Sequence, residues 1–146
     1  MDKIHTIPLN ICKLYFTDVQ NIATFKKGST AAHRKLQFKS NYTWEELYFS
    51  KSNYDFTENQ ERLEPGVLNK QNLLLSYPGE DVSCRYDFLR LSNIKTIVRM
   101  DYGTGLMKLL GTLDNPCLAL VNSASKILGS QINFSRNGEA CYWLEL

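Results

Sequence analysis

The residues of this chain best suited to chemistry are His5 and His33, the cysteines Cys12, Cys84, Cys117 and Cys141, and a scatter of carboxylates. A histidine acts as a general base only beside a nucleophile and an orienting acid. Neither histidine has such partners at a recognisable sequence spacing. A zinc site needs three or four ligands from His, Cys or acid, and no spacing supplies them. The cysteines are far apart and form no Cys-x-x-Cys pair, which leaves out a zinc knuckle and a dithiol redox motif. Their neighbours are mostly apolar or aromatic, as in Ile11-Cys12 and Cys141-Tyr142-Trp143. They read as buried free thiols of a reducing compartment rather than as a disulfide framework.

Gly103-Thr104-Gly105 has the look of a phosphate loop, but the elements around it do not suit that role. A dinucleotide site requires a helix to follow, its N-terminus facing the pyrophosphate. Here Leu106–Leu110 ends at Gly111 after five residues, and the lysine and hydroxyl of a P-loop are absent at their spacing. The glycines are turn residues. Any two of the carboxylates could meet as a glycosidase pair, yet nothing singles out two. The expectation is therefore no catalytic residue, no metal and no cofactor.

Charge is more telling in its order than in its sum, which is +2. Between Asp18 and Glu45 there is no acid, while Lys26, Lys27, Arg34, Lys35 and Lys39 are all basic. From Glu45 to Glu64 six acids face only Lys51 and Arg62. A solvated loop is the simplest reading of the basic stretch. Contact with nucleic acid is a sharper one, since Phe25 and Phe38 lie within it, although so small a net charge suits phosphate neutralisation poorly. A third reading sets the basic face of one copy against the acidic face of the next.

The elements that position these residues read as strands. Asn93–Leu120 is the most informative stretch. Its apolar runs Ile94–Met100 and Leu106–Leu110 flank Asp101–Gly105 as a β-hairpin with a short loop. Ile4–Phe16 alternates and shifts register near Cys12, which predicts a bulge. Arg34–Ser40 alternates Leu36 and Phe38 with polar residues. Thr43–Glu46 fits a helical capping box, but Leu47, Phe49, Tyr54 and Phe56 have a period of two, which favours strands around a Ser50–Asn53 turn. Val67–Tyr77 predicts a long strand with Leu73 and Leu75 on one face and Leu74 and Tyr77 on the other. The one helix expected runs near residues 81–92, with acids at its start, arginines toward its end and Asn93 as its stop. Cys117–Val121, Ser130–Ser135 and Ala140–Leu146 close the chain, the last two joined by Asn137-Gly138 as a hairpin turn.

At 146 residues, 43% hydrophobic and 22% charged, the chain has the size and composition of a single globular domain. No apolar run reaches the roughly 20 residues of a membrane span, and no secretory leader is visible at the start. The fold expected is mainly β: an antiparallel sandwich or partly open barrel with free edge strands.

Several segments follow a recognisable order: Glu46–Asn59, Gly66–Pro78, Leu89-Arg90-Leu91, Ile97-Val98-Arg99-Met100, Gly105, Lys108-Leu109-Leu110-Gly111-Thr112 and Gln131-Ile132-Asn133-Phe134-Ser135. This order resembles small neck- or tail-type structural proteins encoded by phages and prophages of Bacteroidetes, over about residues 46–146. The resemblance implies a non-enzymatic subunit that assembles with itself or with other virion proteins. It would reside in the cytoplasm before assembly and in the virion afterwards. The interaction surface expected comprises Lys26, Lys27, Arg34, Lys35, Lys39, Asp101 and Tyr102. The alternatives are a ligand-binding β-barrel lined by Trp44, Tyr48, Tyr54 and Trp143, and more distantly a small hydrolase.

Overall fold

The first arm of the central hairpin becomes the hub of the molecule. The computed structural model describes residues 10–49, 54–63, 66–78, 90–123 and 129–146. Its strands are β1 (Ile11–Asp18), β2 (Ile22–Lys27), β3 (His33–Phe38), β4 (Glu45–Leu47), β5 (Tyr54–Leu63), β6 (Gly66–Pro78), β7 (Lys95–Tyr102), β8 (Met107–Leu110), β9 (Cys117–Ser123), β10 (Gly129–Gly138) and β11 (Tyr142–Leu144). Strand β7 is apolar along the face of Val98, Met100 and Tyr102, and Ile97 on its other face is fully buried as well. Such a run fits only a strand covered on both sides.

One edge of β7 is taken along its length by β1, from Tyr102 opposite Ile11 to Thr96 opposite Asp18. The other edge is shared. Lys95 and Thr96 pair with β9, while Val98–Asp101 pair with β8. This fork sends the sheet two ways: through β9, β10 and β6 to β5, and through β8, β11 and β3 to β2. Every described pairing is antiparallel except that of β11 with β3. The outcome is a mainly β, open sandwich built from one forked sheet, as the patterning predicts.

Two apolar layers follow from the alternation of side chains about the hub. Val98, Met100 and Tyr102 of β7 join Leu14 and Phe16 of β1, Leu73 and Leu75 of β6, and Ile132 and Phe134 of β10 in the larger core. Ile97 of β7 points the other way, with Leu109, Ile22 and Leu144, into a smaller core flanked by Phe25, Leu36, Phe38 and Trp44. Each such side chain, removed from water, contributes roughly 1.5–3 kcal/mol before chain entropy is counted. The chain passes from one layer to the other through a 3-10 turn at Val19–Asn21, capped by Asp18, whose carboxylate accepts the Gln20 N–H at 2.9 Å.

Several local readings hold. The register of β1 shifts between Ile11 and Lys13, placing the bulge at Cys12. Leu73 and Leu75 are buried, while Leu74 on the opposite face is exposed. Thr43–Ser50 contributes strand β4, not a capped helix. The central loop closes with Gly105 at φ +87°, its N–H donated to the Tyr102 carbonyl at 3.1 Å. Arg90–Ser92 are helical and Asn93 begins the turn after them. The body of the expected helix, the start of the first strand, the Ser50–Asn53 turn, His5 and Cys84 lie outside the described residues.

One reading is overturned. Asn137-Gly138 is no hairpin turn: both residues extend β10, opposite Lys70 and Asn69 of β6. Strand β11 pairs with β8 and β3, not with β10. Side chains from elsewhere hold the Asn-Gly pair extended. Asn115 Nδ2 donates to the Asn137 carbonyl at 2.6 Å and Asn69 Nδ2 to the Gly138 carbonyl at 3.3 Å. A Cβ at residue 138 would stand 2.3 Å from Asn115 Nδ2, so the glycine serves close packing here.

Candidate functional site

The basic residues of the sequence gather on the β2–β3 ribbon, at one end of the forked sheet. Lys26 lies directly opposite Lys35, and Lys27 opposite Arg34. Like charges facing each other across an antiparallel pair repel. Arg34 is partly settled within the molecule: its guanidinium lies 3.7 Å from the centre of the Tyr142 ring and donates to the carbonyls of Ala31 and His33. Glu145 lies beside the ribbon and accepts the Ser29 N–H at 2.7 Å. That bond, with Lys35 and His33 nearby, holds its carboxyl below the ordinary range. Lys26 and Lys27 are exposed, and neither forms an ion pair among the described residues. Lys39 follows β3, where its backbone N–H meets the Asn21 carbonyl. The His33 ring meets the Thr30 hydroxyl at the ribbon tip, in an exposed setting.

Three of the acidic residues, Asp55, Glu58 and Glu61, lie on β5 at the end of the other arm, whereas Glu45 and Glu46 lie on β4 beside β1. Strand β5 pairs with β6 alone, and its residues Glu58–Arg62 are all exposed. Asp55 and Glu61 point to its outer face, where Glu61 meets Lys70 at 2.8 Å. Asp55 has no ion pair among the described residues. The charge order of the sequence thus puts a basic strand at the end of one arm of the fork and an acidic strand at the end of the other.

The hairpin tip is corrected. Tyr102 is buried in the larger core beside Trp143, with ring centres 6.3 Å apart. Burial first, then the neighbouring Cys141, Tyr54 and Glu58, push its hydroxyl up to about 12. Asp101 is half-buried and receives two bonds from Arg99, at 2.7 and 2.9 Å. Neither residue offers a free contact. The four aromatics proposed to line a ligand cavity do not converge. Trp44 packs edge-on against Phe38 in the smaller core, Tyr54 and Trp143 flank the larger one, and Tyr48 is exposed.

A polar cluster that sequence reasoning missed sits where β5, β6, β10 and the 112–115 loop meet. Arg136 is buried, with its side chain 1% exposed. Its Nε donates to the Asn115 carbonyl at 3.1 Å, and its Nη1 to Gln71 Oε1 at 2.7 Å and the Glu139 carbonyl at 3.1 Å. Nη2 lies 3.2 Å from the Glu139 carboxylate as an ion pair, without hydrogen-bond alignment. Gln71, fully buried, donates in turn to Glu58 and to the Glu139 carbonyl. Glu58 also accepts the Cys141 N–H at 3.2 Å. Burial and the Glu58 carboxylate push the Cys141 thiol up to about 12, so it is no nucleophile at neutral pH. Burial raises the Cys117 thiol as well. Cys117 matches the expectation of buried thiols, whereas Cys141 is half-buried and Cys12 is exposed. Nothing local marks Arg136 as buried, because the Gln71 amide and the Asn115 carbonyl that join the nearby Glu139 come from distant segments. The cluster fastens strands together.

The outer face of the β9–β10–β6 layer is apolar in part. Leu120 stands opposite Asn133, which stands opposite Leu74, and Leu118 lies two residues along β9. These leucines are 63%, 40% and 57% exposed for Leu120, Leu74 and Leu118. The Asn133 Oδ1 between them is buried without a hydrogen-bond partner among the described residues.

Among the described residues no group of three or more His, Cys, Asp or Glu is placed to hold a metal ion. No described helix is long and apolar enough to cross a membrane. Comparison with protein-family models, curated proteins and solved structures finds no match to this chain.

Proposed function

We propose that this chain is a non-enzymatic assembly subunit, of the kind found at phage necks and tails, that joins copies of itself or other virion proteins through its sheet edges. The observation that carries this reading is the open sheet, whose outermost strands β2 and β5 each pair with one described strand and carry charges of opposite sign. Free strand edges present rows of backbone N–H and C=O groups, which another chain can pair with. The resemblance over residues 46–146 supports the same reading. So does the chemistry of the Arg136 cluster, whose polar groups are spent on one another.

Sedimentation velocity and negative-stain electron microscopy of the purified chain test this reading, alone and mixed with the products of adjacent genes. A particle of defined subunit number, or a defined complex with a neighbouring portal, capsid or tail protein, is the expected result. A chain that stays monomeric alone and in every mixture overturns it.

A further inference from the structure

We propose that copies of this chain join head to tail, with the basic edge of β2 in one copy laid along the acidic edge of β5 in the next. The inference rests on the assembly reading and names the partner and the surfaces. Strands β2 and β5 end the two arms of the fork, and each has a flank that no described strand occupies. Strand β2 presents Lys26 and Lys27, exposed and without ion pairs among the described residues. Behind them stand Lys35 and Arg34, directly opposite in register. Four cations on two neighbouring strands repel one another, and a partner of negative charge relieves that repulsion. Strand β5 presents Asp55, without an ion pair among the described residues, and Glu61, which shares its charge with Lys70, on its outer face, and Arg62 is the one cation of the strand.

Lysines on an edge strand discourage pairing with a neutral edge. An acidic edge is the kind they admit, so the same residues that block promiscuous pairing select this one. The contact is heterologous: each copy uses a different strand on each side and leaves its opposite edge free. Such contacts close into a ring or continue as a filament. Nucleic acid is the competing anionic partner for β2 and β3. It would leave the acidic edge of β5 unused and be repelled by it, and the few cations available suit phosphate neutralisation poorly.

The test uses sedimentation velocity of the full chain over rising concentration, at low and high salt. Two charge-reversed variants accompany it: Lys26→Glu/Lys27→Glu, and Asp55→Lys/Glu61→Lys. None of these side chains belongs to the buried cluster, and circular dichroism with a melting curve checks that each variant is folded. Self-association weakened by salt is expected for the native chain. Each variant alone should associate about 100-fold more weakly. Mixing the two variants should restore assembly, because every junction then again joins opposite charges. Assembly indifferent to both reversals overturns the edge pairing while leaving the assembly reading in place. A chain monomeric at every concentration overturns the edge pairing, and complexes formed only with neighbouring gene products would then carry the assembly reading. Monomers that bind a labelled DNA duplex through Lys26 and Lys27 overturn it in favour of nucleic acid.

Discussion

Replacing Arg136 by methionine tests whether the buried cluster holds the β5–β6–β10 arm together. The substitution keeps the length of the side chain and removes three hydrogen bonds, to Asn115, Gln71 and Glu139. Gln71 is fully buried, so its Oε1 is left without a donor and without access to water. The Asn115 and Glu139 carbonyls lie nearer the surface and regain water. Removing one partner of a buried charged cluster costs about 3–5 kcal/mol, and the partial recovery of water places this case near 3 kcal/mol. For a chain of this size that corresponds to a melting temperature lower by about 10 °C. Urea unfolding followed by tryptophan fluorescence measures the change directly. A double cycle with Gln71→Leu should give a coupling of about 1–2 kcal/mol, since the two side chains bond each other. A methionine variant as stable as the native chain, or more so, would refute the argument. Burying the guanidinium would then have cost as much as its bonds return.

Gly111 follows β8 at φ +109°, and a Cβ there would lie 3.3 Å from the Cys117 nitrogen and the Thr96 carbonyl, both backbone atoms. Gly111→Ala should therefore destabilise by about 2 kcal/mol in the same urea assay, and a loss below about 0.5 kcal/mol would count against the strain. Alkali should weaken the fold. Cys141 and Tyr102 ionise near 12 in the folded chain but near their ordinary values of 9.0 and 10.0 once unfolded. Their contribution is therefore complete below about pH 9 and is lost as pH rises toward 12, because the unfolded chain releases the protons first. A urea midpoint flat from pH 8 to 11 contradicts this. Leu120→Ser on the exposed outer face should leave stability within about 0.5 kcal/mol of native and lower the binding of an apolar dye. A large loss of stability would show that the face is covered.

How much of this was legible follows from the range of the forces involved. Alternation in Leu73–Leu75, the β-branched run of β7, the glycine turn at Gly105 and the bulge at Cys12 depend on neighbours within a few residues. These features could be read directly. So could the segregation of bases into residues 26–39 and acids into residues 45–64. Other features depend on segments brought from far along the chain. Asn137-Gly138 carries the local signature of a turn, but pairing with Lys70 and Asn69 and the amide of Asn115 keep it extended. Tyr102 sits beside a turn yet is buried, because Trp143 arrives 41 residues later to cover it. Arg136 looks like any surface charge until two distant acceptors, Gln71 and Asn115, join the nearby Glu139 carbonyl around it.

Sequence alone determined that the chain is β-rich and that its charges come in blocks, because period, turn chemistry and charge order are properties of neighbouring residues. Only the tertiary structure decided that the basic ribbon and the acidic strand β5 end the two arms of one forked sheet. That outcome depends on which strands pair across the hub, and the pairing is set by burial on both faces of β7.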